Sequence, residues 1–368
     1  MHKIPISVPS FCGNEKKYVN DCMESGWISS AGKYVQLFEE KFAEFCEVKH
    51  AIACCNGTTA LHLALLALDL KAGDEVIVPT LTYIATANAV SYCGAVPVFV
   101  DSESETWNLD PVEVLAKITP RTKGIIAVHL YGHPAKMGLL REIANHHNLF
   151  LLEDAAEAHG ALYQGQKVGS IGDMAAFSFY ANKIISTGEG GMVVTNDDSL
   201  AQQARLLRGQ GVDPNRRYWH PIIGYNYRMM NLPAAIGLAQ VEQVETLIEK
   251  REKLAEIYHN ELGSVKNISW QSQQPWAKHV YWMMNVILEG DKWKTRDEIM
   301  KVLDEKGIET RPVFYPVHSL PPYLKSCSDE SFPIAEHLAR NGISLPTWIG
   351  LKDTDIKFIC ESLQECQK

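Results

Sequence analysis

Four short apolar runs, separated by segments with helical spacing, constrain this chain more than any other feature. Val76-Ile77-Val78-Pro79, Val96 to Asp101, Gly124 to Leu130 and Leu149 to Asp154 are almost continuously apolar. That is the pattern of strands buried on both faces. Between them lie Thr58 to Leu68, Ala85 to Tyr92, Pro111 to Ile118 and Gly138 to His146, each with apolar residues at helical spacing. The alternation predicts an α/β fold, a parallel sheet covered by helices. Ligands in such sheets lie beyond the carboxyl ends of the strands, so Asp154, Tyr131 and the loop after Pro79 are expected to converge on one crevice.

After Asn231 the pattern changes to one long helical stretch, about Ala234 to Leu262, rich in Glu, Lys and Arg. It is expected to bridge two domains. Beyond it, Val280 to Leu288, the charged helix Lys294 to Lys306 and Ile308 to Phe314 read as a smaller α+β unit. We therefore expect a large domain over residues 1–245, including an N-terminal segment, and a small C-terminal domain over 246–368. A chain of 368 residues exceeds what one core usually serves, and 46% apolar content is ample for two.

Charge and cysteine usage narrow the function classes. A formal charge of −9 leaves no basic surface of the kind that grips a phosphate backbone, so no nucleic-acid partner is expected. The nine cysteines are scattered without CxxC or Cys/His spacing, which reads as reduced thiols and no metal site. No run approaches the roughly 20 apolar residues of a membrane span. Met1-His2-Lys3-Ile4-Pro5 lacks the apolar core of an export signal. A cytoplasmic location is the expectation.

The chemistry concentrates in one segment. Phe177-Ser178-Phe179-Tyr180-Ala181-Asn182-Lys183 runs into the turn Thr187-Gly188-Glu189-Gly190-Gly191, and Asp154 ends an apolar run 29 positions before the lysine. A lysine in apolar surroundings, together with a carboxylate at a strand end, is what pyridoxal 5′-phosphate chemistry requires. The lysine bonds the cofactor aldehyde, and the carboxylate pairs with the pyridine nitrogen. A surface lysine in a loop competes with the first role, and a helix cap for Ala155 onward competes with the second.

Cys55-Asn56-Gly57-Thr58-Thr59 opens a helix with free N–H groups and two hydroxyls, which suits a phosphate, although an ordinary N-cap accounts for it equally. Ser178, alternating with Phe177 and Phe179, is a second phosphate donor or a serine satisfied by backbone. Tyr83, just past a strand end, can lay its ring on a pyridine face or simply pack.

Taken together, Glu-Asp-Ala-Ala-Glu-Ala-His-Gly (153–160), Ser-Phe-Tyr-Ala-Asn-Lys (178–183), Thr-Gly-Glu-Gly-Gly-Met (187–192) and Gly-Tyr-Asn-Tyr-Arg-Met-Met-Asn (224–231) resemble the DegT/DnrJ/StrS family of sugar aminotransferases. The likeness runs from Trp27-Ile28-Ser29-Ser30 to Gly342-Ile343-Ser344-Leu345-Pro346. It implies a fold-type I pyridoxal phosphate enzyme: a large domain with a mixed, mostly parallel sheet, and a smaller α+β domain. It also implies a homodimer whose sites are built from both subunits. Lys183 would be the Schiff-base lysine and proton shuttle, Asp154 the partner of the pyridine nitrogen, and Tyr83 the stacking ring. Gly57, Thr58, Thr59 and Ser178 would hold the phosphate, and Asn226 would reach it from the neighbouring subunit.

Glu157 stands where many family members carry Gln and is a candidate cofactor contact. His159 is a candidate for the substrate, with a structural role as the competing reading. Family members that act as dehydratases replace the lysine with histidine, so the presence of Lys183 points to transamination. L-glutamate is the implied donor and a keto-sugar the acceptor.

Within the family, Trp27-Ile28-Ser29-Ser30, the lysine motif and Arg216-Arg217-Tyr218-Trp219-His220 resemble the branch that aminates C4 of GDP-4-keto-6-deoxy-D-mannose, a step in building surface polysaccharide. Arg216, Arg217, His220 and the segment holding Arg311 and Tyr315 are candidates to meet the nucleotide or its sugar, since arginine suits bidentate phosphate contact. A solvated loop competes with that role. Three alternatives stay open: another keto-sugar, including an eight-carbon sugar acid without a nucleotide; a cofactor-binding regulator without turnover; and an amino-acid enzyme in which Arg311 clamps a carboxylate.

Overall fold

The computed structural model describes residues 3–368; Met1 and His2 of the N-terminal reading lie outside the described residues. The main sheet has seven strands in the spatial order His50–Cys54, Gly191–Thr195, Met174–Ser178, Phe150–Asp154, Thr122–Val128, Glu75–Pro79 and Val96–Val100. Only Gly191–Thr195 runs against the others. Phe150–Asp154 sits between two parallel neighbours, which explains why its apolar run is continuous rather than alternating.

Helices cover both faces. Along Glu75–Pro79, Thr122–Val128 and Phe150–Asp154, alternate residues join different cores. Val76, Val78, Ile126 and Leu152 pack with Phe38, Phe42 and Leu63 on one side. Ile77, Ile125, Ala127 and Leu151 pack with Met137 and Leu140 on the other. This is the period of two that an extended chain imposes on its side chains.

The helices expected between the strands form at Gly57–Ala67, Ala85–Tyr92, Pro111–Ala116 and Met137–His147. The first is started by a reciprocal cap: Asn56 Oδ1 accepts from the Thr59 N–H at 2.9 Å, and the Asn56 N–H donates to the Thr59 hydroxyl at 3.2 Å. Two further helices, Glu15–Ser25 and Lys33–Cys46, precede the sheet.

One expectation is corrected. The stretch read as a single long helix is two, Asn231–Val241 and Val244–Leu262. The first is buried nearly all round and the second on one face. At the break the Glu242 carboxylate is held by Asn14 Nδ2 at 2.8 Å and the Tyr18 hydroxyl at 2.7 Å. These ties to the N-terminal helix fix a turn where no Pro or Gly signals one.

Beyond the second of these helices, a four-stranded antiparallel sheet runs in the order Ile268–Ser269, Met284–Leu288, Gly342–Leu345 and Arg311–Pro312. It shares a core with Val244–Leu262, Arg296–Glu305 and Asp353–Gln364. The expected boundary at 245/246 falls in the first turn of Val244–Leu262. The two halves are interleaved: Ile4 bonds the backbone of Gly307 and Glu309, and Ala277–Lys278 pairs with Leu162–Tyr163.

Candidate active site

The carboxyl ends of the parallel strands converge with the start of Gly57–Ala67 around a cavity of about 640 Å³. Its lining brings together Gly57, Thr58, Thr59, Tyr83, Asp154, Glu157, Ser178 and Lys183, residues that span 127 positions of sequence (183 minus 57, counted inclusively).

At one end lies a cradle for an anion. The first N–H groups of Gly57–Ala67 have no acceptor within the helix and carry its positive pole. A Cβ at Gly57 would lie 2.7 Å from Ser178 Cβ, so only glycine lets the helix start approach Ser178 this closely. Gly191 has the same function one strand away, where a Cβ would meet the Asn56 carbonyl oxygen. Donors to a phosphate here are the Gly57 and Thr58 N–H groups and the Thr58 and Ser178 hydroxyls. The Thr59 hydroxyl is taken up by the cap, donating to the Asn56 carbonyl at 2.8 Å.

At the other end are the acids. Asp154, the last residue of its strand, accepts from the Thr86 hydroxyl at 2.7 Å and the Ala156 N–H at 3.2 Å. Burial pushes its carboxyl up, and the Thr86 bond opposes that push. Glu157 accepts from the Tyr131 N–H at 2.7 Å and lies 3.6 Å from Lys183 Nζ. Burial raises it to about 7. Burial also lowers Lys183, against the pull of Glu157 and Asp154. A lowered amine in a nearly dry site is a better nucleophile at neutral pH. The turn after the lysine needs its glycines: Gly188 has φ +83°, and Tyr180 pairs with it across the turn.

The residues fit pyridoxal 5′-phosphate. A dianion cradle, a nucleophilic amine and a buried carboxylate held by two donors border one cavity, with Tyr83 on its wall, tilted against Phe314 at 5.9 Å.

The remaining sequence candidates lie elsewhere. His159 is a correction: it is fully buried among Phe42, Phe177 and Phe179, with ring centroids 6.4, 5.3 and 5.7 Å away, and does not line the cavity. The turn after Asp154 directs Glu157 into the cavity and His159 into the core behind the sheet. Tyr131 is a second correction. It is buried behind the wall, stacked on Trp282 and Phe314, rather than in the crevice.

Asn226 is outside its own chain's cavity, its Oδ1 accepting from Arg228. Arg216 and Arg217 lie over Trp219 and Tyr218 in an exposed loop, where His220 bonds the Gln210 carbonyl. Arg311 is exposed and paired with Glu309. Tyr315 lines a separate cavity of about 550 Å³ with Arg296 and His318. Among the described residues no group of three His, Cys, Asp or Glu is placed to hold a metal ion, and no helix is long and apolar enough to cross a membrane.

Sequence reasoning missed Thr86, Asn182, Trp282 and Phe314, all in the cavity wall. Thr86 had a signal, sitting one helical turn after Tyr83. Trp282 and Phe314 had none, since they arrive from the second half of the chain.

Comparison with known proteins shows the family. The family model described as the DegT/DnrJ/EryC1/StrS aminotransferase family matches residues 10–364. The chain is 52% identical to GDP-perosamine synthase of Caulobacter vibrioides, over 99% of this chain and 98% of that one. It is 50% identical to GDP-perosamine synthase of Escherichia coli O157:H7, over 99% of each. Among solved structures it is similar to S. venezuelae DesV in complex with a ketimine intermediate, at 38% identity and TM-score 0.90, covering 96% of this chain and 94% of that one.

Proposed function

The chain belongs to the DegT/DnrJ/EryC1/StrS aminotransferase family, and on that premise we propose that it transfers the amino group of L-glutamate to C4 of GDP-4-keto-6-deoxy-D-mannose, giving GDP-perosamine. It is a fold-type I sugar aminotransferase that uses pyridoxal 5′-phosphate. The observation that carries the substrate is identity at half of all positions, over nearly the whole chain, with two GDP-perosamine synthases.

Pyridoxal 5′-phosphate, when bound, supplies an aldehyde that carries the amino group and a ring that withdraws electrons from the reacting carbon. The chain supplies the rest. The first turn of Gly57–Ala67, with Thr58 and Ser178, binds the phosphate. Asp154, which accepts from the Thr86 hydroxyl and the Ala156 N–H, would pair with the ring nitrogen. Tyr83, on the cavity wall, would cover one ring face. Lys183 Nζ would hold the aldehyde and would carry the proton that exchange of the amino group requires. Glu157 lies beside that amine. Arg216, Arg217, His220, Arg311 and Tyr315 are candidate contacts for the nucleotide sugar.

We read the working form as a homodimer in the cytoplasm. Asn226 is exposed and does not line its own chain's cavity, which leaves it free to serve a second copy. The exposed apolar side chains of Trp27, Ile28, Ile223 and Met230 are suited to burial between copies.

The test is spectroscopic. Protein loaded with cofactor should lose its visible absorbance on addition of L-glutamate and regain it with GDP-4-keto-6-deoxy-D-mannose. Recovery only with a nucleotide-free sugar acid would reject the substrate while keeping the aminotransferase. No response to glutamate would reject the donor.

A further inference from the structure

Lys183 is enclosed on two sides by groups that stabilise a cation. Its Nζ lies 3.7 Å from the ring centroid of Trp282 and 3.6 Å from Glu157 Oε1. An indole face is the strongest aromatic partner for an ammonium, and more so where water is excluded. Trp282 is buried, and its indole N–H donates to the carbonyl of Asn182, the residue before the lysine, at 2.8 Å.

Both groups are held by one residue behind the wall. The Tyr131 N–H donates to Glu157 Oε2 at 2.7 Å, and the Tyr131 carbonyl accepts from the Trp282 N–H at 3.0 Å. The Tyr131 ring stacks on the Trp282 indole at 5.9 Å with 13° between planes. Tyr131 has φ +56°, a conformation that a bulky side chain adopts only when its surroundings impose it. From the far side, Arg251 donates to the Trp282 carbonyl at 2.9 Å. The indole is thus fixed at both backbone ends, at its edge and on its stacked face.

We propose that Trp282 and Glu157 form a resting site for the free amine of Lys183 while it carries a proton, with Tyr131 as the residue that positions both. The proposal rests on Lys183 being the reactive lysine and is independent of which sugar is aminated. The site answers a physical need: burial disfavours the protonated amine of Lys183, and a lysine that moves protons has to hold one between steps.

The other charged group acting on the amine is Asp154 at the strand end, and Glu189 lines the same cavity. Arg251 lies across a small void from Lys183, and neutral His159 lies behind it.

The test measures the amine itself. In the full-length chain freed of cofactor, trace acetylation of Lys183 across pH, read by peptide mass, gives the pH at which the amine loses its proton. Replacing the tryptophans with mono-, di- and trifluorinated analogues weakens the ring face while keeping its shape and N–H. The midpoint should fall stepwise with fluorination, by about half a unit to one unit in total. Glu157→Gln, which keeps the acceptor for the Tyr131 N–H, should lower it by about one unit. A midpoint unmoved by fluorination overturns the proposal, and so does one unmoved by Glu157→Gln. A wrong sugar assignment would leave both shifts in place.

Discussion

The hydroxyl of Thr86 donates to Asp154 Oδ2 at 2.7 Å, and both side chains are buried where a strand ends and the helix Ala85–Tyr92 begins. With the Ala156 N–H on Oδ1, each carboxylate oxygen has a donor. Burial favours the neutral acid; these two bonds favour the charged one. Thr86 is in turn backed by the Thr82 hydroxyl at 3.2 Å.

Thr86→Val should therefore impair turnover without touching substrate. Losing a hydrogen bond to a charged group raises the Asp154 pKa further, so the acid limb of the pH–rate profile should move up by about one unit. Thr86→Ser should restore it. An unchanged profile in the valine variant would remove Thr86 from the site's electrostatics.

Lys183→Ala should lower kcat by about 10³-fold or more, because no other amine among the described residues borders the cavity to bond the cofactor or carry its proton. Cofactor should still bind, without a covalent bond, through the phosphate cradle. Reduction with borohydride followed by peptide mass mapping separates the two states.

His159 makes folding depend on pH. Burial among the three rings holds it down to about 3, whereas an unfolded chain takes up the proton near 6.5. A base whose folded pKa is depressed gives stability that is present above the unfolded value and is lost as pH falls toward the folded one. His159→Phe should remove a loss of about 2 kcal/mol at pH 5. Denaturant midpoints of the two proteins at pH 7.5 and pH 5 should converge or cross; a constant difference would count against it.

Gly57→Ala puts a methyl 2.7 Å from Ser178 Cβ and 3.1 Å from its hydroxyl. The overpacking should cost about 1–3 kcal/mol. It should also separate the two halves of the phosphate cradle, weakening cofactor binding more than stability. Equilibrium dialysis of the cofactor, set beside thermal melts, checks both.

Copies carrying Lys183→Ala and copies carrying Asn226→Ala should each be impaired alone. If sites are shared, a mixed dimer holds one intact site, and random re-association should recover about a quarter of full activity. No recovery after verified exchange would show that Asn226 does not serve the other copy's site.

Much of the site was legible because its chemistry is carried by short contiguous segments. Gly57-Thr58-Thr59 opens a helix directly after a strand, Asp154 ends a strand, and Ser178 and Lys183 share one segment. Local rules of capping and alternation place each of these without knowledge of distant contacts. His159 defeated them: two residues from Glu157, it lies on the opposite side of the chain, and the direction of a side chain in an irregular turn is set by what packs there.

The sequence by itself determined the layered sheet and the ends of its central strands, because strands buried on both faces have to be apolar throughout and strand–helix alternation allows little besides parallel pairing. It also determined the residue types the cofactor needs. Only the tertiary structure decided what surrounds them. Trp282 reaches Lys183 from about a hundred positions away, Tyr131 holds Trp282 and Glu157 through its backbone, and Glu242 turns the chain by bonding Asn14 and Tyr18. Such contacts join segments with no local periodicity in common, so they come into being only when the whole core closes.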